Sequence, residues 1–367
     1  MKISIVTLTT TNKYTGVAHY LNNLITHLQK IDTENEYLIY TSRDNSSFFS
    51  LTKSNFKEVQ LPFFQKSFLD RIIFHFWSFL ILPLIVRLRQ INKVHLPNTM
   101  FIPLFCSNCV VTVHDIVEQK TMKYGQARTW IRRVMINRIL KKSIDVITIS
   151  ENTKRDLFEL VNRNCTVIYN GYKELSFNTN QEYLEALGLF NKGYILFIGT
   201  LLPHKNIPFL IEQFSYYLSK SGSKMKLVLV GHRESGYELI NRTIVKNGLQ
   251  EAVLILDYVS ESEKCTLLKN AYTFTYFSKY EGFGFPLLEA QDAGIPVITW
   301  NVSCLPEVVG AGAIILDNKS NNFSEDFLVA MDDLIKNRED LISAGKENLK
   351  RFDWSRNAEE TLKIYMK

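Results

Sequence analysis

Long apolar runs are missing from this chain. No stretch reaches the roughly 18 uninterrupted apolar residues that a membrane-spanning helix needs. The richest run, Phe74 to Val86, is broken by His75, Ser78 and Pro83. The opening MKISIVTLTT has one basic residue and a short apolar run, which is too little for a secretory leader, and reads as a buried strand. Cysteine is scarce: Cys106, Cys109, Cys165, Cys265 and Cys304 are an odd number in 367 residues, so no disulfide framework is expected. Cys106 and Cys109 form a C-x-x-C, but a structural zinc needs a second pair at similar spacing, and there is none. Both read as small buried residues beside a strand. The loop after the first strand, Thr9–Gly16, holds one glycine where a nicotinamide enzyme carries G-x-G-x-x-G, which disfavours an oxidoreductase. A reducing cytoplasm is the expected compartment.

What is present is ordinary globular material. The chain is 46% hydrophobic and 22% charged, enough for a normal core, and its length predicts two domains. The net charge of +6 is too mild to imply nucleic acid, and no nucleic-acid partner is expected. Short apolar runs alternate with amphipathic stretches. Ile3–Leu8, Val110–Val113 and Val146–Ile149 read as strands, and Val17, Leu21, Leu24 and Leu28 share one helical face. The rhythm breaks over 171–193, read as a linker, and restarts with strands at Tyr194–Ile198, Lys226–Val230, Val253–Leu256, Thr273–Phe277 and Pro296–Thr299. This is the β-α-β pattern of parallel sheets, which bind ligands at the carboxyl ends of their strands.

Four segments carry chemistry. YEGFGFPLLEA, 280–290, reads as a strand end, a glycine loop and a helix start. Gly282 and Gly284 permit close backbone approach, Pro286 suits a first helical turn, and the free N–H groups there attract a diphosphate. Glu281 before the loop and Glu289 one turn into the helix are strong acceptors for vicinal diols of a sugar and a ribose. GTLLPHKNIPFL, 199–210, sets Lys205 at a helix start, where an ammonium neutralises phosphate oxygens. VTVHDI, 111–116, places His114 and Asp115 at the end of a buried strand. An imidazole there can donate, accept or titrate near neutral pH. Gly16 and Val17 open a helix whose N-terminus is friendly to phosphate.

In order along the chain, TGVAHYLNNL, VTVHDI, TISENTKRDL, VIYNGY, GTLLPHKN, EGFGFPLLEA, GIPVIT, LPEVVG and RFDWSRNAEETLKIY resemble the retaining glycosyltransferases of the GT-B fold, group 1 or family 4 type, which include bacterial mannosyl- and glucosyltransferases. The resemblance implies an α/β protein of two Rossmann-like, doubly wound domains facing a central cleft. Residues 1–175 would form the acceptor-side domain, 190–350 the nucleotide-sugar domain, and the helix 354–367 would cross back to the first. It implies that Glu281 contacts the donor sugar, Glu289 the ribose, Lys205 the diphosphate, and that His114 lies beside the donor sugar, making His114 and Glu281 the catalytic pair. Backbone around Gly282, Phe283, Gly284, Phe285 and Leu287, and near Gly16 and Val17, would hold sugar and phosphates. Tyr258, in LDYVSESE, would approach the base through its backbone. No metal or other cofactor is expected. One departure stands out: many relatives carry an arginine just after the loop glycine or just before the lysine, where this chain has Thr200 and His204. A neutral histidine offers one donor where arginine offers a forked cation.

The expected reaction is transfer of a hexose, with GDP-mannose as the expected donor, to a saccharide or lipid-linked saccharide in bacterial surface polysaccharide synthesis. An epimerase or phosphorylase of the same fold, or a non-catalytic nucleotide-sugar binder, are the alternatives. Residues 123–142 interleave Lys123, Arg128, Arg132, Arg133, Arg138, Lys141 and Lys142 with apolar positions, and 63–86 are rich in aromatic and aliphatic residues. Two readings stand: a basic helix lying on the anionic inner face of a membrane, or a helix packed in the first domain with a solvated basic face.

Overall fold

A computed structural model describes the chain except residues 9, 11–14, 63–67, 100–107, 118–125 and 178, and without the side chains of 68, 69, 71, 126–129, 131 and 132. Cys106 and Lys123, and most of the loop before Gly16, lie outside the described residues. The chain divides into two compact units, Met1–Gly171 with Asp353–Lys367, and Tyr172–Phe352.

The first unit is built on seven parallel strands: β1 (Lys2–Val6), β2 (Glu36–Thr41), β3 (Phe56–Gln60), β4 (Lys93–Leu96), β5 (Cys109–Val113), β6 (Asp145–Thr148) and β7 (Thr166–Val167), in the order β3-β2-β1-β4-β5-β6-β7. The second has β8 (Tyr194–Ile198), β9 (Lys226–Val230), β10 (Val253–Leu256), β11 (Thr273–Tyr276), β12 (Val297–Trp300) and β13 (Ala313–Leu316), in the order β10-β9-β8-β11-β12-β13. In both, strand order reverses beside the first strand, between β1 and β4 and between β8 and β11. Loops leaving the two strands that flank such a point part to opposite sides and open a crevice. The central strands are apolar because both faces are covered: every residue of β5 and β11 is buried.

Local sequence explains the elements around the crevices. The helix Gly16–Ile31 starts where the Thr15 side chain accepts a hydrogen bond from the Ala18 N–H at 3.2 Å, and it buries Ala18, Leu21, Leu24, Ile25 and Leu28 at helical spacing. The last helix, Trp354–Met366, is capped by Asp353 and packs on the helix Gly16–Ile31 within the first unit. Asn357 donates to the Tyr169 carbonyl at 2.7 Å. A Cβ on Gly171 would lie 2.3 Å from the Trp354 nitrogen, so only glycine lets these two segments meet.

Three expectations need correction. The segment read as a linker contains a helix, Gln181–Ala186, capped by Asn180, because Asn180, Tyr183 and Leu184 give it a start and an apolar anchor. The basic helix runs Gln126–Lys142, and its described side chains form no clean apolar face: Ile136, Ile139 and Leu140 are buried while Trp130 and Val134 are exposed. Lys205 stands in a short 3₁₀ turn, Pro203–Lys205, ahead of the helix Ile207–Ser221, because Asn206 takes a left-handed conformation between them.

Candidate functional site

The carboxyl edge of the second sheet brings the two strongest sequence motifs together. The loop after β8 carries Thr200, His204 and Lys205, and the loop after β11 carries Glu281 to Gly284. They are stitched by the His204 carbonyl, which accepts from the Lys279 N–H at 2.7 Å and the Ser278 hydroxyl at 3.2 Å. The Lys205 ammonium then reaches the Glu281 carboxylate at 2.5 Å and the Tyr276 hydroxyl at 2.9 Å, and Tyr276 donates to the same Glu281 oxygen at 3.0 Å. Burial would lower the ammonium and raise the carboxyl. Instead the charges beside Lys205 hold it above its ordinary value, and the Lys205 ammonium holds Glu281 below its own. Both groups are thus charged, and Glu281 accepts hydrogen bonds; it is not an acid.

Glu281 is also fixed through its backbone. Its N–H donates to the Ser303 hydroxyl at 3.2 Å, which in turn donates to the Glu281 carbonyl at 2.7 Å; the Cys304 thiol donates to the Glu281 and Phe283 carbonyls. Gly284, at φ +99°, is the N-cap of the helix Phe285–Asp292, which has Pro286 in its first turn. Leu287 and Phe283 are buried beneath it. Glu289 projects from the same helix and its carboxylate meets the Lys264 ammonium at 2.8 Å. Tyr258, after β10, is 79% exposed, open to whatever stacks or hydrogen-bonds there.

On the first unit His114 follows β5. Burial pushes its imidazole down to about 4, against a contact with the Pro97 backbone that favours the charged form. The Nε2 atom is buried and makes no hydrogen bond among the described residues. His114 is thus a neutral imidazole with one nitrogen unbonded among the described residues, and not the group titrating near neutral pH that its residue type allows. Beneath it lies a polar network: Tyr20 packs edge-on at 4.8 Å and bonds the Thr112 hydroxyl at 3.1 Å, Thr112 bonds His95 Nε2 at 2.8 Å, and His95 Nδ1 bonds Tyr365 of the last helix. His95 is held down to about 3 by burial and by neighbouring His114. Gly16 and Val17 lie at the start of their helix, Gly16 exposed. Asp115 is exposed and accepts from the Val117 N–H, a turn-forming role.

Sequence reasoning missed Tyr276, Lys264 and Ser303. Tyr276 sits inside the apolar strand β11, and Lys264 is one charge among several on a helix whose capping box, Ser260 with Glu263, is legible. Neither had a signal before its partner was known.

Comparison with known proteins agrees with this arrangement. Residues 180–348 match the family described as glycosyl transferases group 1, and residues 14–173 match glycosyltransferase family 4. The chain belongs to these glycosyltransferases and has the GT-B fold. It is 28% identical to O-antigen chain mannosyltransferase B of Escherichia coli over 283 residues, 74% of this chain and 73% of that one. It is also 28% identical to O-antigen chain mannosyltransferase RfbU of Salmonella typhimurium over 223 residues, 59% and 58% of the two chains. Among solved structures, sucrose-phosphate synthase of Thermosynechococcus elongatus superposes with a TM-score of 0.76 at 16% identity, covering 100% of this chain and 98% of that one. HepE of Anabaena, solved with UDP and glucose, gives 0.72 at 16% identity, covering 99% of each. Both share the fold.

Proposed function

We propose that this glycosyltransferase moves a hexose, mannose from GDP-mannose, to the hydroxyl of a saccharide acceptor with retention of anomeric configuration and without a metal. The observation that carries the reading is the Lys205–Tyr276–Glu281 cluster at the switch point of the second sheet: a buried cation for a diphosphate beside a carboxylate for sugar hydroxyls. Mannose is supported by the names of the two bacterial relatives.

In the proposed reaction the acceptor oxygen bonds to the anomeric carbon on the face from which the nucleotide leaves. The bond from that carbon to the phosphate oxygen breaks, and the acceptor proton passes to a phosphate oxygen of the departing diphosphate. Lys205 and the N-terminus of the helix Phe285–Asp292 stabilise charge growing on that diphosphate. Glu281, already bonded to Lys205 and Tyr276, orients the sugar and is not a nucleophile. His114, whose Nε2 makes no hydrogen bond among the described residues, accepts from a sugar hydroxyl. Glu289 takes the ribose.

The test is thermal: GDP, UDP and dTDP, each at millimolar concentration in excess EDTA. Ligand at about 100 times its Kd stabilises by about 2.7 kcal/mol. A raised melting temperature with GDP, and transfer that persists in EDTA, are expected. No shift with any of the three would remove the donor site, and transfer abolished by EDTA and restored by manganese would remove the metal-free reaction.

The acceptor is proposed to be lipid-linked and met at an anionic membrane surface. No described helix is long and apolar enough to cross a membrane. The apolar contact comes mainly from residues 72–88, which include a π-helical turn at Trp77–Ile81. There Ile72, Phe76, Leu84 and Leu88 are each about half exposed or more. A cavity of about 580 Å³ opens among Ile72, His75, Phe76, Phe79, Met135 and Arg138. The neighbouring helix Gln126–Lys142 has no acidic residue. Apolar side chains beside cations fit an anionic leaflet. Sedimentation with anionic vesicles, but not with zwitterionic ones, is expected at low salt; equal recovery with both would exclude the charge-dependent contact.

A further inference from the structure

We propose that Lys264 is a positioning residue for the nucleotide: it holds the Glu289 carboxylate in the orientation that receives the ribose diol. The inference rests on the reading of Glu289 as the ribose ligand and adds to it the residue that makes that ligand effective.

Lys264 stands one turn into the helix Glu261–Asn270, whose start is fixed by a complete capping box between Ser260 and Glu263. The lysine side chain is 17% exposed and its ammonium lies between two carboxylates, Glu289 at 2.8 Å and Glu261 at 3.0 Å. The two contacts are not equal. Glu261 is 68% exposed, so solvent screens its attraction. Glu289 is 17% exposed, and there the attraction is stronger. Burial would lower the ammonium, but Glu289 and then Glu261 hold it above its ordinary value, so it stays charged.

Two consequences follow for a nucleotide. Only one oxygen of Glu289 is bonded to Lys264; the other has no hydrogen bond among the described residues and remains an acceptor for a ribose hydroxyl. A carboxylate already held in one rotamer loses less freedom on binding than a loose one. The ammonium also offsets the negative charge of Glu289, which would otherwise repel an incoming diphosphate. The arrangement repeats that of the sugar ligand, where Glu281 is held by Lys205. Each glutamate of the glycine-loop segment is thus paired with a lysine from a different element.

The experiment is calorimetry with GDP and with 2′,3′-dideoxy-GDP, the UDP pair being run in parallel, on the wild type, Lys264→Met, Lys264→Arg, Glu289→Ala and the double variant Lys264→Met/Glu289→Ala. Melting without ligand reports folding. Lys264→Met should bind the ribonucleotide about tenfold more weakly, the scale of one charged hydrogen bond. It should bind the dideoxy nucleotide as the wild type does. Lys264→Arg should restore most of the loss, and the double variant should bind no worse than Glu289→Ala alone. Equal weakening toward both nucleotides, or additive losses in the double variant, would overturn the proposal and make Lys264 a direct phosphate ligand or a mere fastener between helices. A wild type that binds both nucleotides equally would instead overturn the ribose role of Glu289, and with it the inference. Failure of every ribonucleotide to bind the wild type would overturn the donor reading itself.

Discussion

At the carboxyl edge of the second sheet the candidate side chains are charged and paired, Lys205 with Glu281 and Lys264 with Glu289. At the same edge of the first sheet they are neutral: His114, whose Nε2 has no hydrogen bond among the described residues, over His95, Thr112, Tyr20 and Tyr365. The winding of the two sheets is alike, so topology does not set this difference; the side chains do. A nucleoside diphosphate demands cations and strong acceptors. A sugar hydroxyl demands only a fixed hydrogen-bond partner, and an imidazole buried without a counter-charge stays neutral, as the proposed role of His114 requires.

The largest expected effect comes from breaking the charged side. Glu281→Ala removes the proposed acceptor for the donor sugar and leaves Lys205 with Tyr276 alone. A charged hydrogen bond is worth about 1.5–3 kcal/mol, so turnover should fall on the order of tenfold to a hundredfold. Affinity for the nucleoside diphosphate should fall much less. Steady-state kinetics with calorimetry separates the two, and an unchanged turnover number would take the glycine loop out of the site.

The neutral side should reveal itself through acid. In the folded chain His114 and His95 stay uncharged down to about 4 and about 3, whereas unfolded histidines protonate near 6.5. Between those values the unfolded state binds more protons, so stability falls as pH drops from about 6.5 toward 4. At pH 5 the loss amounts to about 2 kcal/mol for each histidine. His95→Gln should flatten this dependence. Melting curves from pH 7.5 to 4.5 check it, and identical slopes in the variant and the wild type would mean that His95 is not held neutral.

The comparison also shows what a sequence exposes. Lys205, Glu281 and Glu289 were legible because glycine, proline and charge punctuate the ends of apolar strands, and such punctuation survives in one dimension. Tyr276 and Lys264 were not, since Tyr276 meets Lys205 across 71 residues and Lys264 meets Glu289 across 25, and only the fold brings these pairs into contact. The same holds for strands. β1, β8 and β9 announce themselves as apolar runs, but β3, FKEVQ, is a half-exposed edge, and β4, KVHL, buries a lysine and a histidine that read as surface. His95 is invisible as a functional support until Thr112 and Tyr365, from distant parts of the chain, close on it.

The division between a charged nucleotide site and a neutral hydroxyl site is tested most directly by GDP calorimetry on two variants, Glu289→Ala and His114→Ala. GDP has a ribose and a diphosphate but no hexose. Glu289→Ala should weaken GDP by about tenfold to a hundredfold, and His114→Ala should bind it as the wild type does. Wild-type affinity in Glu289→Ala together with a large loss in His114→Ala would contradict the account.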